Sequence, residues 1–196
     1  MRESSSTEAA ALMDEEQLVR RSAEGDERAY GRLVHRYQAR LYNFVRSMVR
    51  DDALAEDITQ ESFVKAYFSL HKLQNAQSFK SWLFRIANNN TLDYLRRRRL
   101  QLVDVDEQIR ESYVDERNPE QGALQEQRLA HVQEALAKLK PDQKAILVMC
   151  DLQGLSYAEI AEVLKIPFGT VQSRIFYARR KLREHLNVAI IFGGEG

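Results

Sequence analysis

Ile166–Lys181 places adjacent aromatic and basic side chains at helical spacing, a combination suited to contact with nucleic acid. On a helix of 3.6 residues per turn, four apolar residues fall together as a seam: Val171, Ile175, Ala178 and Leu182. The opposite side carries Ser173, Phe176, Tyr177 and Arg180. Arginine binds guanine bidentately or holds phosphate, and aromatic rings pack on thymine methyl groups. The segment predicts a DNA-contacting helix; a solvated charged helix that covers a neighbouring domain is the alternative.

A second basic helix is predicted from Phe79 to Arg98. Its positions i, i+3, i+4, i+7 and i+11 share one face, opposite Phe79, Leu83 and Ile86; that face holds Arg85, Asn88, Asn89, Leu92 and Arg96. Asparagine amides can bond to base edges, and the arginines can hold phosphates. The amide-rich loop Gln74–Ser78 precedes the helix and suits an unstacked base better than a duplex. A polar loop beside a solvated helix fits the same spacing.

The helix expected before that loop differs in charge along its length. Its first half, Ala55–Glu61, is acidic. The second half is apolar nearly all round, through Phe63, Val64, Tyr67 and Phe68. An acidic patch cannot hold DNA but can bind a basic protein surface. From the pattern alone, a solvated face is the alternative interpretation.

The elements that must position these side chains are helices joined by short connections. The first four are expected over Asp14–Glu24, from Asp26 or Glu27 to about Val49, from Asp51 to about Leu70, and over Phe79–Arg98 behind a Ser78 cap. Short connections between them predict one compact bundle.

Periodicity resumes near Leu124 after a segment poor in large apolar residues. Leu129–Leu139 marks one helix, Pro141 opens another that ends near Gly154, and the capping box Ser156–Glu159 starts a third at Tyr157. A tight turn at Pro167 then leads into the basic helix, which makes a helix-turn-helix pattern. We therefore expect an all-α chain of two small helical domains, residues 14–99 and 125–186, with an acidic flexible linker at 100–124. Residues 1–13 are expected to be disordered, and 187–196 to form a tail.

Charge is balanced over the 196 residues, with 29 Lys and Arg against 29 Asp and Glu, but it is unevenly distributed. Phe79–Arg99 has six basic residues against one acidic, Leu100–Gln127 has two against eight, and Phe168–His185 has five against one. Two basic blocks therefore flank an acidic spacer, which leaves two candidate phosphate-binding surfaces.

The composition excludes several classes of protein. The single cysteine rules out an internal disulfide and argues against a cysteine-based metal site. The four histidines are scattered, without nucleophile–base spacing or a glycine-rich phosphate loop, so we expect neither an enzyme nor a cofactor or metal site. Because no apolar run or signal-peptide core is present, we expect a cytoplasmic protein without membrane insertion.

Three segments in this order resemble bacterial RNA polymerase sigma factors of the extracytoplasmic-function group: Ala53–Leu70, Ser78–Arg99 and Leu152–Glu184. The resemblance implies a region-2 domain followed by a region-4 domain. It further implies a subunit that binds core RNA polymerase, recognises minus-35 and minus-10 promoter elements, melts DNA and directs transcription of a stress or envelope regulon. The implied partners are the β′ clamp helices and β flap of the core enzyme, promoter DNA and an anti-sigma factor.

The resemblance also assigns roles to residues. Contact with the clamp helices is implied for Asp57, Gln60 and Glu61. Minus-10 contact is implied for Gln74, Asn75, Ser78, Arg85, Asn88, Asn89, Arg96, Arg97 and Arg98. Minus-35 contact is implied for Thr170, Ser173, Arg174, Phe176, Tyr177 and Arg180. The chain departs from many relatives at Tyr177 and Gln172, where they carry basic residues.

Two other classes of protein remain open at this stage. A free-standing helix-turn-helix regulator usually dimerises over paired half-sites, and this sequence offers no evident dimer helix. An adaptor that binds polymerase without DNA would have no use for the basic faces.

Overall fold

The computed structural model describes residues 14–103 and 123–186, and the expectations for the N-terminus, most of the linker and the tail lie outside them. All regular secondary structure in these two ranges is helical, without a strand, so the expected all-α fold is confirmed. The chain divides into two compact units; the main boundary lies in the fourth helix after Asn90, and Glu162–Lys165 are grouped with the first unit.

The first unit begins with three helices: α1 (Glu15–Ala23), α2 (Glu27–Val49) and α3 (Asp52–Ser69). Two short 3₁₀ turns, Leu70–Lys72 and Ala76–Ser78, lead into α4 (Phe79–Val103). The Asp26 carboxylate accepts a hydrogen bond from the Ala29 N–H at 3.0 Å, and that of Asp51 accepts one from the Leu54 N–H at 3.0 Å. These caps satisfy backbone donors that the first turn of a helix leaves without partners, and they fix where α2 and α3 begin.

Aromatic and aliphatic side chains from α2, α3 and α4 form the core of the first unit. Phe44 and Phe84 make an edge contact with ring centroids 5.6 Å apart, and both are fully buried. The Tyr30 hydroxyl donates to the Phe63 carbonyl at 2.6 Å and so joins α2 to α3. Burial raises the pKa of Tyr30, which keeps this hydroxyl protonated as a donor.

Helix α4 differs from its sequence prediction in two respects. It continues to Val103 instead of ending at Arg98, because neither Gly nor Pro follows the arginine run until Pro119. Its buried side is also wider than expected. Beside the stripe with Phe79 and Leu83, a second buried stripe at i, i+3, i+4 and i+7 holds Phe84, Ala87, Asn88 and Thr91. Asn88 therefore lies in the interior instead of on the exposed face with Asn89.

The remaining helices are α5 (Ala123–Ala137), α6 (Pro141–Leu147), α7 (Tyr157–Leu164) and α8 (Phe168–His185). Apart from the end of α7, they lie in the second unit. A single π-helical turn, Val148–Leu152, extends α6, and Gly154 follows at φ 64°. Positive φ at this position suits glycine, which has no Cβ to clash. Helix α8 packs on α5 and α6, and the core of the unit is aliphatic, with Ile146, Met149, Ile160 and Ile175 almost completely buried.

Candidate nucleic-acid interface

The connection between α7 and α8 is a tight turn, and a side-chain capping box marks the start of α7. The predicted capping box is present, because the Ser156 N–H donates to Glu159 Oε2 at 2.7 Å and the Glu159 N–H donates to Ser156 Oγ at 3.2 Å. Lys165 takes a left-handed φ of 53°, and Pro167 precedes α8, where the Thr170 N–H donates to its carbonyl at 2.9 Å. The turn reverses the chain in three residues and gives the helix-turn-helix arrangement.

Helix α8 has the two faces that its spacing predicts. Val171, Ile175 and Ala178 are buried almost completely, and Leu182 is half-buried. On the other side, Phe176 and Tyr177 are 64% and 53% exposed, and Ser173 and Arg180 are also exposed. Fixing the inner seam places these four side chains at the surface, where the Ser173 hydroxyl donates to the Thr170 carbonyl at 3.0 Å and Arg180 Nε lies 3.9 Å from Glu184 Oε1.

The exposed aromatic residues of α8 form a small cluster with one arginine. The rings of Phe176 and Tyr177 meet edge to face, with centroids 5.6 Å apart. The Arg180 guanidinium lies over the Tyr177 ring, within cation–π range. The cluster presents a flat cation beside apolar ring edges, which suits the edge of a guanine next to a thymine methyl group.

The basic residues of α8 fall into paired and unpaired groups. Arg179 binds Asp151 of the π-helical turn, with Nη2 and Oδ1 2.5 Å apart, and this hydrogen bond raises the pKa of Arg179. Lys181 Nζ lies 2.7 Å from Glu184 Oε2. Arg174 is exposed and forms no ion pair with the residues that the structure describes.

The Arg179–Asp151 pair is a contact that the sequence analysis missed. The two residues are 28 positions apart, and no local pattern signals their pairing. Arg179 therefore holds α8 against the π-helical turn, whereas Arg174 and Arg180 point their charge away from the unit's core.

The amide loop before α4 is largely exposed, but some of its side chains form hydrogen bonds within the protein. Gln74 and Asn75 are exposed and Ser78 is half-buried. The Asn75 Oδ1 accepts from the Gln77 N–H at 3.0 Å and caps the 3₁₀ turn, and Gln77 Nε2 donates to Glu16 Oε1 at 2.7 Å. The Asn75 Nδ2 and the Gln74 amide are exposed and form no hydrogen bond within the described residues, so both are available to a ligand.

Only some of the residues predicted to form the DNA-contacting face of α4 are at the surface. Asn89 is exposed and Arg85 half-buried, but Asn88 is 2% exposed, which removes its amide from any surface. Farther along the helix, Arg96 Nη1 lies 2.8 Å from Asp93 Oδ1, and Arg97 and Arg98 are exposed. Asn89 is therefore the asparagine of this helix that a base edge can reach.

The acidic and amide side chains in the first half of α3 are exposed to solvent. Asp57, Gln60 and Glu61 are all exposed, and Glu61 Oε1 lies 2.7 Å from Lys65 Nζ. Val64 and Phe68 continue the same helical stripe at 54% and 72% exposure. Phe68 and Val64 also line an apolar groove of about 320 Å³ with Tyr30 and Tyr67. A surface that is acidic at one end and apolar at the other is typical of a protein-binding site.

A second contact missed from the sequence links α3 to α4. Lys65 Nζ donates to Asn90 Oδ1 at 2.7 Å, and Asn90 Nδ2 donates to Ser62 Oγ at 2.9 Å. The partners lie 25 and 28 positions apart, so only the packing of the two helices brings them together.

None of the helices in the described residues is long and apolar enough to cross a membrane. Over residues 14–103 and 123–186, no group of three or more His, Cys, Asp or Glu side chains is arranged to hold a metal ion.

Comparison with known proteins assigns both halves of the chain. The family model for Sigma-70 region 2 matches residues 33–101, and that for Sigma-70 region 4 matches residues 129–182. The RNA polymerase sigma-H factor of Pseudomonas aeruginosa is 36% identical over 180 residues, which cover 88% of this chain and 93% of that protein. The ECF RNA polymerase sigma-E factor of Haemophilus influenzae is 34% identical over 186 residues, or 90% of this chain and 97% of that protein.

Two solved structures resemble the fold. CnrH, in complex with the cytosolic domain of CnrY, gives a TM-score of 0.67 at 29% identity and covers 87% of this chain and 95% of that chain. The sigma factor RpoE of Bartonella quintana, in complex with the anti-sigma factor NepR, gives 0.67 at 28% identity and covers 81% of this chain and 97% of that chain.

The matches to both regions, in this order, do not favour a free-standing helix-turn-helix regulator, because such a protein has no need of a region-2 domain. The chain belongs to the sigma-70 family, in its extracytoplasmic-function group, and is a promoter-specificity subunit of RNA polymerase.

Proposed function

We propose that the chain divides promoter recognition between its two units: α8 binds the minus-35 element as duplex, and α4 with its preceding loop opens the minus-10 element. The observation that carries this proposal is that one chain exposes two separate DNA-suited faces together with an acidic protein-binding stripe. Neither DNA-suited face needs to bind tightly alone, because polymerase fixes the distance between them.

The minus-35 assignment is supported by the composition of the exposed face of α8. Ser173, Phe176, Tyr177 and Arg180 are positioned to contact base edges, and Arg174 is positioned to contact phosphate. Thr170, which is half-buried in the first turn, lies near the N-terminus of the helix, where backbone N–H groups favour phosphate. Arg179 is not included among the DNA contacts, because its guanidinium is paired with Asp151.

The minus-10 assignment is supported by exposed amides beside a basic helix. We assign capture of an unstacked base to Asn89, Gln74 and Asn75, with Ser78 and Arg85 at the edge of the site. Arg96, Arg97 and Arg98 would hold the strand by its phosphates. Asn88 is left out of this surface because its side chain is buried.

We assign the binding of core polymerase to α3, whose Asp57, Gln60 and Glu61 would contact the β′ clamp helices. Charge complementarity supports a basic partner, and the exposed Val64 and Phe68 on the same stripe support a protein instead of a nucleic acid. The β flap is assigned to the second unit. Because RpoE was solved in complex with the anti-sigma factor NepR, we also propose an anti-sigma partner for this chain.

Members of this family are non-enzymatic subunits, and we propose that this chain likewise has no catalytic activity of its own and acts in the cytoplasm. A stress or envelope regulon is proposed from the relatives named for extracytoplasmic function.

The test reconstitutes the chain with purified core polymerase. Chromatin immunoprecipitation with sequencing would identify bound promoters, and run-off transcription would be measured on those fragments with chain, core enzyme, or both. We expect specific transcripts only with both components. Tight sequence-specific duplex binding by the chain without core polymerase would overturn the proposal in favour of a free-standing regulator.

A further inference from the structure

Helices α3 and α4 are joined by a two-point hydrogen-bonded contact centred on Asn90. Its Oδ1 accepts from Lys65 Nζ at 2.7 Å, and its Nδ2 donates to Ser62 Oγ at 2.9 Å. The Ser62 hydroxyl itself donates to the Ile58 carbonyl at 2.6 Å, so Ser62 is oriented by its own helix. Because the amide of Asn90 uses its acceptor and a donor on the same neighbouring helix, α4 cannot rotate about its axis without breaking one of these bonds.

The contact continues to the exposed surface of α3. The same Lys65 Nζ that donates to Asn90 lies 2.7 Å from Glu61 Oε1. An ammonium group has three donors, so it can serve the carboxylate and the amide at once, and both bonds are charge-assisted. Three side chains, Glu61, Lys65 and Asn90, therefore connect an acid of the polymerase-docking stripe to the middle of α4.

The middle of α4 is where the proposed base-capturing side chain lies. Asn89 directly precedes Asn90 and is exposed, whereas Asn90 is half-buried. Successive residues are about 100° apart around a helix, so holding Asn90 against α3 directs Asn89 outward. Hydrogen bonds to a base edge weaken steeply with misalignment, and the rotational setting of α4 therefore bears on capture.

We propose that Lys65 and Asn90 are positioning residues that hold the base-capturing face of α4 at a fixed setting relative to the polymerase-docking surface of α3. This inference rests on the proposed function of the two surfaces. Through Lys65 and Asn90, the placement of α3 on polymerase determines where Asn89 meets the strand. Neither residue needs to touch polymerase or DNA.

The test separates core binding from promoter opening in reconstituted holoenzyme. Asn90→Leu keeps the side-chain size and removes both bonds, and Lys65→Met removes the ammonium. Core affinity would be measured by fluorescence anisotropy, and opening would be followed by permanganate reactivity on a promoter identified by run-off transcription. We expect Asn90→Leu to bind core as wild type does and to open the promoter about tenfold more slowly, the size of effect that loss of a hydrogen bond to a charged group gives.

Lys65→Met is expected to bind core at least as tightly as wild type, because Glu61 loses its intramolecular partner, yet to open the promoter more slowly. A loss of stability alone would not produce these opposite changes. Lys65→Arg retains N–H donors for Glu61 and Asn90 and should restore opening. Asn43→Leu, on an exposed position of α2, is the matched control and should behave as wild type.

The inference is overturned if Asn90→Leu opens the promoter within twofold of wild type, or if opening falls only in parallel with core affinity or melting temperature. These results are distinct from failure of the proposed function, in which the wild-type chain itself would give no core-dependent opening.

Discussion

The guanidinium carbon of Arg180 lies 5.3 Å from the centre of the Tyr177 ring on the exposed face of α8. The ring restricts a side chain that is otherwise long and mobile, so the cation is held in place before DNA arrives. At position 177 this chain therefore has an aromatic ring that supports a cation about one helical turn later.

Replacing Tyr177 should weaken minus-35 binding through Arg180. We expect Tyr177→Ala to lower holoenzyme affinity for a promoter fragment about threefold, the size of an exposed cation–π contact. Tyr177→Phe keeps the ring and should stay close to wild type, which makes it the matched control. Equal losses for both variants would show that the hydroxyl, not the ring, carries the effect. Competitive gel shift with holoenzyme is the measurement.

Reversing charge on α3 should abolish core binding. Asp57→Lys combined with Glu61→Lys places two cations against a basic partner, and both positions are exposed, so the fold should be unaffected. The check is co-elution with core polymerase on a sizing column, with circular dichroism for the fold. Glu24→Lys, exposed after α1, is a charge-reversal control that should co-elute normally. Retained co-elution of the double variant would contradict the docking assignment.

Asn89 and Asn88 should respond differently to substitution because one is exposed and the other is buried. Asn89→Ala should reduce permanganate reactivity of the minus-10 region more than it reduces closed-complex binding in a gel shift. Asn88→Ala should shift the melting temperature and leave opening per folded molecule unchanged. Equal losses of opening and closed-complex binding in Asn89→Ala would count against base capture.

The Arg179–Asp151 pair should stabilise the second unit in a salt-dependent manner. Both side chains are nearly half exposed, so solvent screens the pair, and we expect Asp151→Asn to lower the free energy of unfolding by about 0.5 kcal/mol. Urea denaturation at low and high salt is the measurement, and the difference from wild type should shrink at high salt. A loss of the same size at both salt concentrations would show that packing, not charge, is responsible.

Because Asp26 caps α2, the free energy of unfolding should decrease at acid pH. The Ala29 N–H and then the Arg21 side chain hold the pKa of Asp26 below its ordinary value. Because the pKa of Asp26 is lower in the folded state, its contribution to the free energy of unfolding is complete above the unfolded carboxyl pKa of about 4. This contribution is lost as the pH falls through the pKa of the folded state. Thermal melts from pH 6 downward should therefore show a smaller acid-induced loss in Asp26→Ala than in wild type. Parallel acid curves for the two proteins would refute the cap's contribution.

Features set by nearest neighbours in the chain were predictable. Asp26, Asp51 and the Ser156–Glu159 capping box mark helix starts, because a cap acts within three residues. The inward seam of α8 was equally local. The end of α4 was predicted too early, although the absence of a helix-stopping residue in Leu100–Val103 is also a local feature.

Features that depend on how helices meet were not predictable. Asn88 is buried because α4 packs on two sides, and a single-face pattern cannot show this. The Lys65–Asn90 and Arg179–Asp151 contacts bridge 25 and 28 positions, respectively, and arise only once their helices pack. For the candidate site, residue type and helix face could be predicted, but which side chain is committed to the fold could not.

The exposure of Phe68 limits how much of the unbound protein can accumulate in the cell. In the chain alone, without polymerase, this ring is 72% exposed beside Val64. Uncovered apolar stripes promote self-association, and this tendency rises with concentration. The supply of proteins that can cover the stripe therefore sets a ceiling on how much of the chain can accumulate unbound. Overproduction without such a protein should lead to inclusion bodies before it leads to excess transcription.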